Sequence, residues 1–206
     1  MMDPVRKPAP ADHSVLETIR ERWSPWAFAP TPVPAETLAS LLEAARWAPS
    51  SMNEQPWRFV VGDQVRSPEV HAALASALLP GNALWAASVP LLILVCADTL
   101  FRARGTVNRF ALHDAGQATA FLQLQATAIG LRCHPMGGYD AAKARVSLGI
   151  PDDHETGALL AIGYPESPTV LEDETVRAKE TNPVRVRRPL SELVHELWGV
   201  PFPIER

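Results

Sequence analysis

The spacing of apolar residues predicts an amphipathic helix and then a strand in the first third of the chain. Over residues 36–46 an apolar side chain recurs at the i, i+3, i+4 and i+7 positions that form one face of an α-helix. Residues 57–61, which follow a short polar stretch, have the composition of a strand. The residues of the apolar helix face are Leu38, Leu41, Leu42 and Ala45.

Apolar runs further along the chain predict the strands of a sheet. Residues 91–97 are apolar without alternation, which indicates a strand buried on both faces at the centre of the sheet. Residues 158–163 form a second buried run, and residues 131–134 are predicted to form a short strand.

Local signals mark the ends of several helices. Residues 14–17 have the S-x-x-E form of a capping box, which predicts a first helix with Leu16 and Ile19 facing the core. Residues 67–69 combine an N-cap serine, a proline and an acidic residue, and predict a helix that reaches about Leu79. We expect the Pro-Gly-Asn sequence at 80–82 to end it.

A long helix is predicted over residues 108–129. Alanines at helical spacing let another helix approach it closely, so it is either the central core helix or part of a subunit interface. A further helix should begin after Asp140, run to Leu148 and close at Gly149. The closely spaced alanines of the long helix are Ala111, Ala115 and Ala118.

Length and composition indicate one domain. The 206 residues are 47% hydrophobic and 20% charged, which suits a single core. We expect a flexible, proline-rich N-terminal arm over residues 1–12 and one domain over residues 13–206. Residues 164–184 are expected to be extended, and an amphipathic segment follows at residues 190–197.

Charge and hydropathy argue against several partners. A net charge of −4 gives no general attraction to nucleic acid or to an anionic membrane. The longest apolar run is interrupted by Pro90 and is far shorter than the roughly 20 residues of a membrane helix. The N-terminus lacks the apolar region of a secretory signal, so a cytoplasmic protein is expected. Cys96 and Cys133 are too far apart for a zinc motif and are expected to be buried thiols.

The chain carries none of the usual motifs of nucleophilic or nucleotide chemistry. The patterns GxSxG, GxGxxG and GxxxxGK[ST] are absent from the sequence, and its histidines are not spaced for a metal. What remains is a polar loop at 47–57, a Gly-Gly pair at 137–138, and arginines near both ends of the chain. Prolines at both ends of the loop leave its side chains little freedom to lose on binding. This set fits an elongated ligand with one anionic end and one flat polar end.

Several motifs together resemble the nitroreductase family of FMN-dependent oxidoreductases along nearly the whole chain. The most specific is APSSMNEQPW at 48–57; the others include RWSPWAF at 22–28, PGNALW at 80–85, GLRCHPMGGYD at 130–140 and RVRRPLSELVHELWG at 185–199. The resemblance implies an α+β fold, a three-layer α/β/α sandwich around a mixed, mainly antiparallel sheet. It also implies an obligate, intertwined homodimer with FMN at the subunit interface.

The resemblance assigns one group of residues to the phosphate and ribityl end of FMN. Arginines from both ends of the same chain would close on the phosphate, with Arg188 as the substitute for either C-terminal arginine. This group is Arg22, Trp23, Ser24, Arg185 and Arg187.

Two further groups are assigned to the flavin ring. The polar loop would reach the flavin from the partner subunit, and the glycine turn would lie along the isoalloxazine with the Gly137 amide near N5. Asn82 would contact the polar edge of the ring. The loop residues are Pro49, Ser50, Ser51, Asn53 and Gln55, and the turn residues are Pro135, Met136, Gly137 and Gly138.

Two tryptophans depart from the family pattern. The family often carries a second basic residue at the position of Trp23, and commonly arginine or lysine at the position of Trp26. A cation near the flavin stabilises its anionic reduced form, so either another donor replaces it or the substrate differs.

The function that the resemblance implies is hydride transfer from NADH or NADPH through flavin N5 to a small acceptor. The acceptor would be a nitroaromatic or a quinone, and the two half-reactions would follow a ping-pong order without a catalytic acid or base. The alternatives are a module that stores, senses or consumes FMN without an external acceptor, and a flavin-dependent dehalogenase or dehydrogenase.

Overall fold

A four-stranded antiparallel sheet forms the centre of the protein, which a computed structural model describes over residues 3–204. The strands in chain order are β1 Trp57–Asp63, β2 Leu91–Asp98, β3 Leu100–Phe101, β4 Thr106–Val107, β5 Arg132–Met136, β6 His154–Gly163, β7 His195–Leu197 and β8 Val200–Pro201. The central sheet has the order β1-β2-β6-β5, while β3 with β4 and β7 with β8 form separate two-stranded pairs.

Helices cover both faces of this sheet. In chain order they are α1 Glu17–Glu21, α2 Ala35–Arg46, α3 Pro68–Ala77, α4 Pro80–Ala86, α5 Ala111–Ala128, α6 Ala141–Leu148 and α7 Glu174–Thr181. Helices α2 and α5 pack on one face, and α3, α4 and α6 pack on the other. The predicted three-layer α+β sandwich is therefore confirmed, and each pairing in the central sheet is antiparallel.

Strand β2 joins the two cores because its side chains alternate between them. Leu92 and Leu94 belong to the core beneath α3 and α4, whereas Leu91 and Ile93 belong to the core beneath α2 and α5. All eight residues of β2 are buried. An apolar run without alternation was thus a correct sign of a central strand.

The strongest sequence patterns gave the correct helices. The predicted apolar face of α2 is buried or half-buried, with Leu41 and Ala45 fully enclosed. The long helix α5 starts three residues later than predicted and buries its alanines against the sheet and α2. Asp140 caps α6 by accepting a hydrogen bond from the Lys143 amide, and Gly149 ends it at φ 63°. Cys96 and Cys133 are free and buried.

The predicted capping box at residues 14–17 is wrong. Helix α1 begins at Glu17 after the N-cap position of Leu16, and no side chain caps it. Leu16 and Ile19 are 69% and 43% exposed instead of facing the core of their own chain. Ser67 precedes α3 as predicted, but its Oγ accepts from the Asp63 amide and donates to the Val61 carbonyl. It therefore fixes the turn to β1 and leaves the helix amides uncapped.

Two other regions also differ from the prediction. Pro80 does not end a helix but occupies the first turn of α4, where its missing N–H costs nothing. Residues 164–184 are not simply extended, since they include a 3₁₀ turn at Pro168–Val170 and helix α7. Within the amphipathic segment at 190–197, a 3₁₀ turn at Leu190–Glu192 leads into β7.

Among the helices of residues 3–204, none has both the length and the apolar character needed to cross a bilayer.

Candidate functional site

A positively charged cavity lies where the segment after α1 meets the chain beyond α7. It has a volume of about 300 Å³. Five of its lining residues are lysine or arginine, and among the described residues that line it none is aspartate or glutamate. This positive charge without a lining counter-charge makes the cavity electrostatically suited to an anion. The lining residues are Lys7, Arg22, Trp23, Ser24, Trp26, Lys179, Asn182, Val184, Arg185 and Arg187.

The end of α1 places Arg22 at this cavity. Arg22 is the C-cap residue, with extended backbone angles of φ −68° and ψ 123°, so the chain leaves the helix there. Its Nη1 donates to Ser24 Oγ across 3.4 Å. Burial, together with the charges of Arg185 and Arg187, lowers the pKa of Arg22. A bound anion would relieve this unfavourable environment for its charged form.

Arg185 holds the walls of the cavity together. Its Nη1 donates to the carbonyls of Lys7 at 2.5 Å and Arg20 at 3.3 Å, and its Nη2 donates to the Arg22 carbonyl at 3.0 Å. These bonds connect the N-terminal arm, α1 and the C-terminal stretch. Arg187 lines the same cavity, whereas Arg188 lines a neighbouring groove. Of the two, Arg187 is the residue that faces the anion site.

Strand β5 connects the segment after α1, at Pro25 and Trp26, with the glycine turn. His134 Nδ1 donates to the Pro25 carbonyl at 2.8 Å, and its ring lies 4.6 Å from Trp85 and 5.4 Å from Trp26 between ring centroids. Burial lowers the pKa of His134, which favours the neutral ring. At about 3.3 Å per residue, Gly137 lies on the order of 10 Å beyond His134.

The glycine turn meets α4 through Asn82. The Asn82 Nδ2 donates to the Gly138 carbonyl at 2.9 Å, so the structure brings together two elements that the sequence assigned to one ring site. Gly137 is exposed, and a Cβ added there would meet no atom within 4 Å. Met136 is only 3% exposed, so any ligand contact of this residue would come from its backbone. Pro135 is half-buried at the end of β5.

The polar loop at 49–55 has an unusual backbone. Met52, Asn53 and Gln55 have φ values of 57°, 55° and 51°. Left-handed backbone costs roughly 1–2 kcal/mol for residues with a Cβ, less for asparagine. Contacts with the rest of the protein must therefore stabilise this backbone conformation. The side chains of Asn53 and Gln55 remain exposed.

Asp114 of α5 supplies one of these contacts. This residue is 2% exposed, and its Oδ2 accepts a hydrogen bond from the Ser51 amide at 2.8 Å. Ser50 Oγ accepts from the Gln55 amide at 3.0 Å and closes the loop on itself. Pro49, Ser50 and Ser51 line a second cavity of about 260 Å³ with Asp114 and other residues of the α5 region. The loop is therefore held by the buried carboxylate of Asp114 in α5.

Replacing Asp114 with alanine should reduce the free energy of unfolding by about 1–2 kcal/mol, because the Ser51 amide would lose its charged acceptor. Urea unfolding of the purified variant measures this loss. His113→Ala is the matched control, since it removes the exposed partner of the same carboxylate but keeps the bond to Ser51. Equal stability of the two variants would contradict the assigned role of Asp114.

The structure sorts the predicted site residues into three groups. Arg22, Trp23, Ser24, Arg185 and Arg187 meet at the cationic cavity, Asn82 meets the glycine turn, and residues 49–51 line the cavity beside α5. The sequence missed Lys7 and Asp114, because neither belongs to a local motif and both contact residues far away along the chain. Within residues 3–204, no cluster of three or more histidine, cysteine or acidic side chains is arranged to hold a metal.

Sequence comparison identifies a matching family and several relatives. Residues 19–164 match the model of the nitroreductase family. A provisionally named NADH dehydrogenase/NAD(P)H nitroreductase of Xanthomonas oryzae pv. oryzae is 31% identical over 176 residues, with 73% of this chain and 88% of that protein covered. A protein of Thermus thermophilus named NADH dehydrogenase is 33% identical over 166 residues, with 65% and 78% covered.

Solved structures show the same arrangement of helices and strands. A structure described as an oxidoreductase containing FMN matches with a TM-score of 0.83 at 32% identity, covering 90% of this chain and 93% of that one. A nitroreductase family protein from Clostridium difficile 630 matches with a TM-score of 0.67 at 26% identity, covering 89% and 98%.

Proposed function

The chain belongs to the nitroreductase family, and on this premise we propose that it is an FMN-dependent oxidoreductase that takes electrons from NADH or NADPH. The motif-based resemblance is confirmed. The two half-reactions follow a ping-pong order in this proposal, and the acceptor is a small planar molecule such as a nitroaromatic or a quinone.

The cationic cavity is the observation that carries this proposal. Its arginine and lysine side chains surround a space without a lining carboxylate, which matches the terminal phosphate of FMN in charge. Arg22 and Arg187 would donate to the phosphate, and Ser24 Oγ stands beside Arg22 to accept or donate a further bond. Arg185 would keep these groups in place through the three carbonyls that it already binds.

The glycine turn would hold the flavin ring. When bound, FMN supplies the redox chemistry by accepting a hydride at N5 and passing electrons on to the acceptor. The open space beside Gly137 lets a flat ring approach the backbone, and its amide would donate towards N5. Asn82 is held at the Gly138 carbonyl, where it would meet the polar edge of the ring. The chain's own groups therefore position the reactants and need not transfer protons themselves.

A homodimer would complete this site. Large apolar side chains lie exposed at the start of α1 and along the C-terminal tail, including the N-cap residue Leu16 at 69%, Leu197 at 70% and Trp198 at 97% exposure. Exposed apolar surface of this extent is typical of a subunit interface. The polar loop at 49–53, held by Asp114, would then present its amides and hydroxyls to the flavin of the partner subunit.

Anaerobic reduction of the FMN-loaded protein tests the proposal. We expect NADH or NADPH to bleach the visible flavin absorbance faster than either bleaches free FMN. Addition of a quinone or a nitroaromatic in a second mixing step should restore the absorbance, because the acceptor takes the electrons from the reduced flavin and reoxidises it.

The outcomes separate the alternatives. A protein that binds FMN but is bleached by neither nucleotide would be a flavin-binding module rather than an oxidoreductase. A protein that stays colourless after incubation with FMN would refute the cofactor assignment.

A further inference from the structure

Lys7 is a buried lysine in a cavity that already holds several arginines. It belongs to the N-terminal arm ahead of α1 and is only 6% exposed. Its Nζ lies 4.5 Å from the centre of the Trp23 ring and 5.8 Å from that of Trp26. The two tryptophans thus form an apolar wall against which the ammonium group is held at the cavity.

The hydrogen bonding of Lys7 is incomplete. The ammonium group has three N–H donors, and Nζ donates to the Lys179 carbonyl at 3.1 Å. The nearby buried carboxylate of Glu180 accepts instead from the Trp26 amide, at 2.7 Å from its Oε2. Within residues 3–204 no salt bridge to Lys7 is formed. Donors therefore remain available to a bound ligand.

The backbone of Lys7 is fixed in place. Arg185 donates to the Lys7 carbonyl, and two residues later the Ala9 amide donates to the Arg20 carbonyl at 2.8 Å. The guanidinium of Arg185, which has five N–H donors, makes three hydrogen bonds to backbone carbonyls. The ammonium group of Lys7 makes one. The arm is thus built into the cavity wall.

Burial of the Lys7 charge is only partly balanced by a carboxylate of the chain, that of Glu180. Desolvation lowers the pKa of Lys7, and the neighbouring Arg185 lowers it further, while Glu180 opposes both. A buried cation beside other cations weakens the fold unless a negative group balances it. A ligand phosphate in this cavity would supply that balance for Lys7 and Arg22 together.

We infer that Lys7 is a phosphate-binding residue of the cofactor site, with its ammonium donating directly to the FMN phosphate and Arg185 acting as the positioning residue that holds the arm. The inference rests on the proposed function. It gives the N-terminal arm a part in cofactor binding and supplies a cation between the two tryptophans.

The test compares FMN with riboflavin, which has the same ring system but no phosphate. Apo-protein carrying Lys7→Gln should bind FMN about 10- to 100-fold more weakly than wild type, the loss of one charge-assisted hydrogen bond. Its affinity for riboflavin should stay within about twofold. Lys7→Arg should recover most of the FMN affinity. Arg6→Gln is the matched control, because Arg6 is exposed and pairs with Glu21.

Inorganic phosphate, titrated into the same apo-proteins by calorimetry, separates this inference from the proposed function. Phosphate binding by wild type that is weakened in Lys7→Gln supports the anion role even if FMN does not bind. If the Lys7→Gln protein binds FMN and phosphate as tightly as wild type does, the inference is overturned and the proposed function still stands. Equal losses for FMN and riboflavin, or a wild type that binds neither FMN nor phosphate, would overturn it as well.

Discussion

Apo-protein carrying Arg22→Gln is expected to bind FMN about 100-fold more weakly than wild type. Arginine can donate two parallel hydrogen bonds to a phosphate, and a hydrogen bond to a charged group contributes about 1.5–3 kcal/mol. Arg22 is half-buried at the cavity, so little solvent screens the interaction. Glutamine keeps much of the side-chain volume but cannot supply the charge. Quenching of flavin fluorescence during titration of the apo-protein gives the dissociation constant.

Arg20→Gln is the matched control for this variant. Arg20 lies two residues earlier, its side chain is exposed, and it contributes a backbone carbonyl rather than its guanidinium to the contacts with Arg185. The control should bind FMN like wild type, and Arg22→Gln should keep its affinity for riboflavin. If Arg22→Gln binds FMN as tightly as Arg20→Gln does, the phosphate is bound elsewhere.

Gly62→Ala is expected to lower the free energy of unfolding by about 3 kcal/mol, at the upper end of what overpacking of a core costs. Gly62 lies in β1 where α3 crosses the sheet, and an added Cβ would stand 2.7 Å from His71 Cα and 2.9 Å from His71 N. Because these are backbone atoms, no side-chain rotation relieves the clash. Helix α3 must move outward, which disturbs the fully buried Leu74 and the bond from His71 Nε2 to the Val89 carbonyl at 2.8 Å.

Urea unfolding of Gly62→Ala measures this cost, and Gly81→Ala is its control. Gly81 lies in the first turn of α4, and a Cβ there would meet nothing within 4 Å. The control should remain within about 0.5 kcal/mol of wild type. A Gly62→Ala protein as stable as the control would mean that α3 does not pack on β1 as closely as the structure shows.

The sequence was most informative where a pattern had one physical cause. The unbroken apolar run of β2 can bury all of its side chains only between two layers of helices. The apolar spacing in α2 places its apolar side chains on one face of a helix, which is the buried face. Helix α7 was not predicted, because only two of its residues, Val176 and Glu180, are buried and its sequence therefore has no helical apolar periodicity. Pro80 was misread because a proline that follows one helix can equally begin the next.

The types of residue in the site could be predicted from the sequence, but the way the fold brings them together could not. Arginines near both ends of the chain indicated an anion site, and the structure brings Arg22, Arg185 and Arg187 to one cavity. Lys7 and Asp114 could not be identified in this way, because their roles depend on tertiary contacts with Lys179 and Ser51. A lysine in a proline-rich arm and an aspartate in a helix have no distinctive local pattern.

The bonds from Arg185 to Lys7, Arg20 and Arg22 also set an order of events during synthesis. The ribosome synthesises the N-terminal wall of the cavity first, whereas Arg185, which holds this wall in place, follows Arg22 by 163 residues. Domains can begin to fold as they leave the ribosome, and the sheet between these two ends can form in that interval. The anion cavity nevertheless closes only after residue 185 has been released, so the chain cannot bind the cofactor phosphate there before that point.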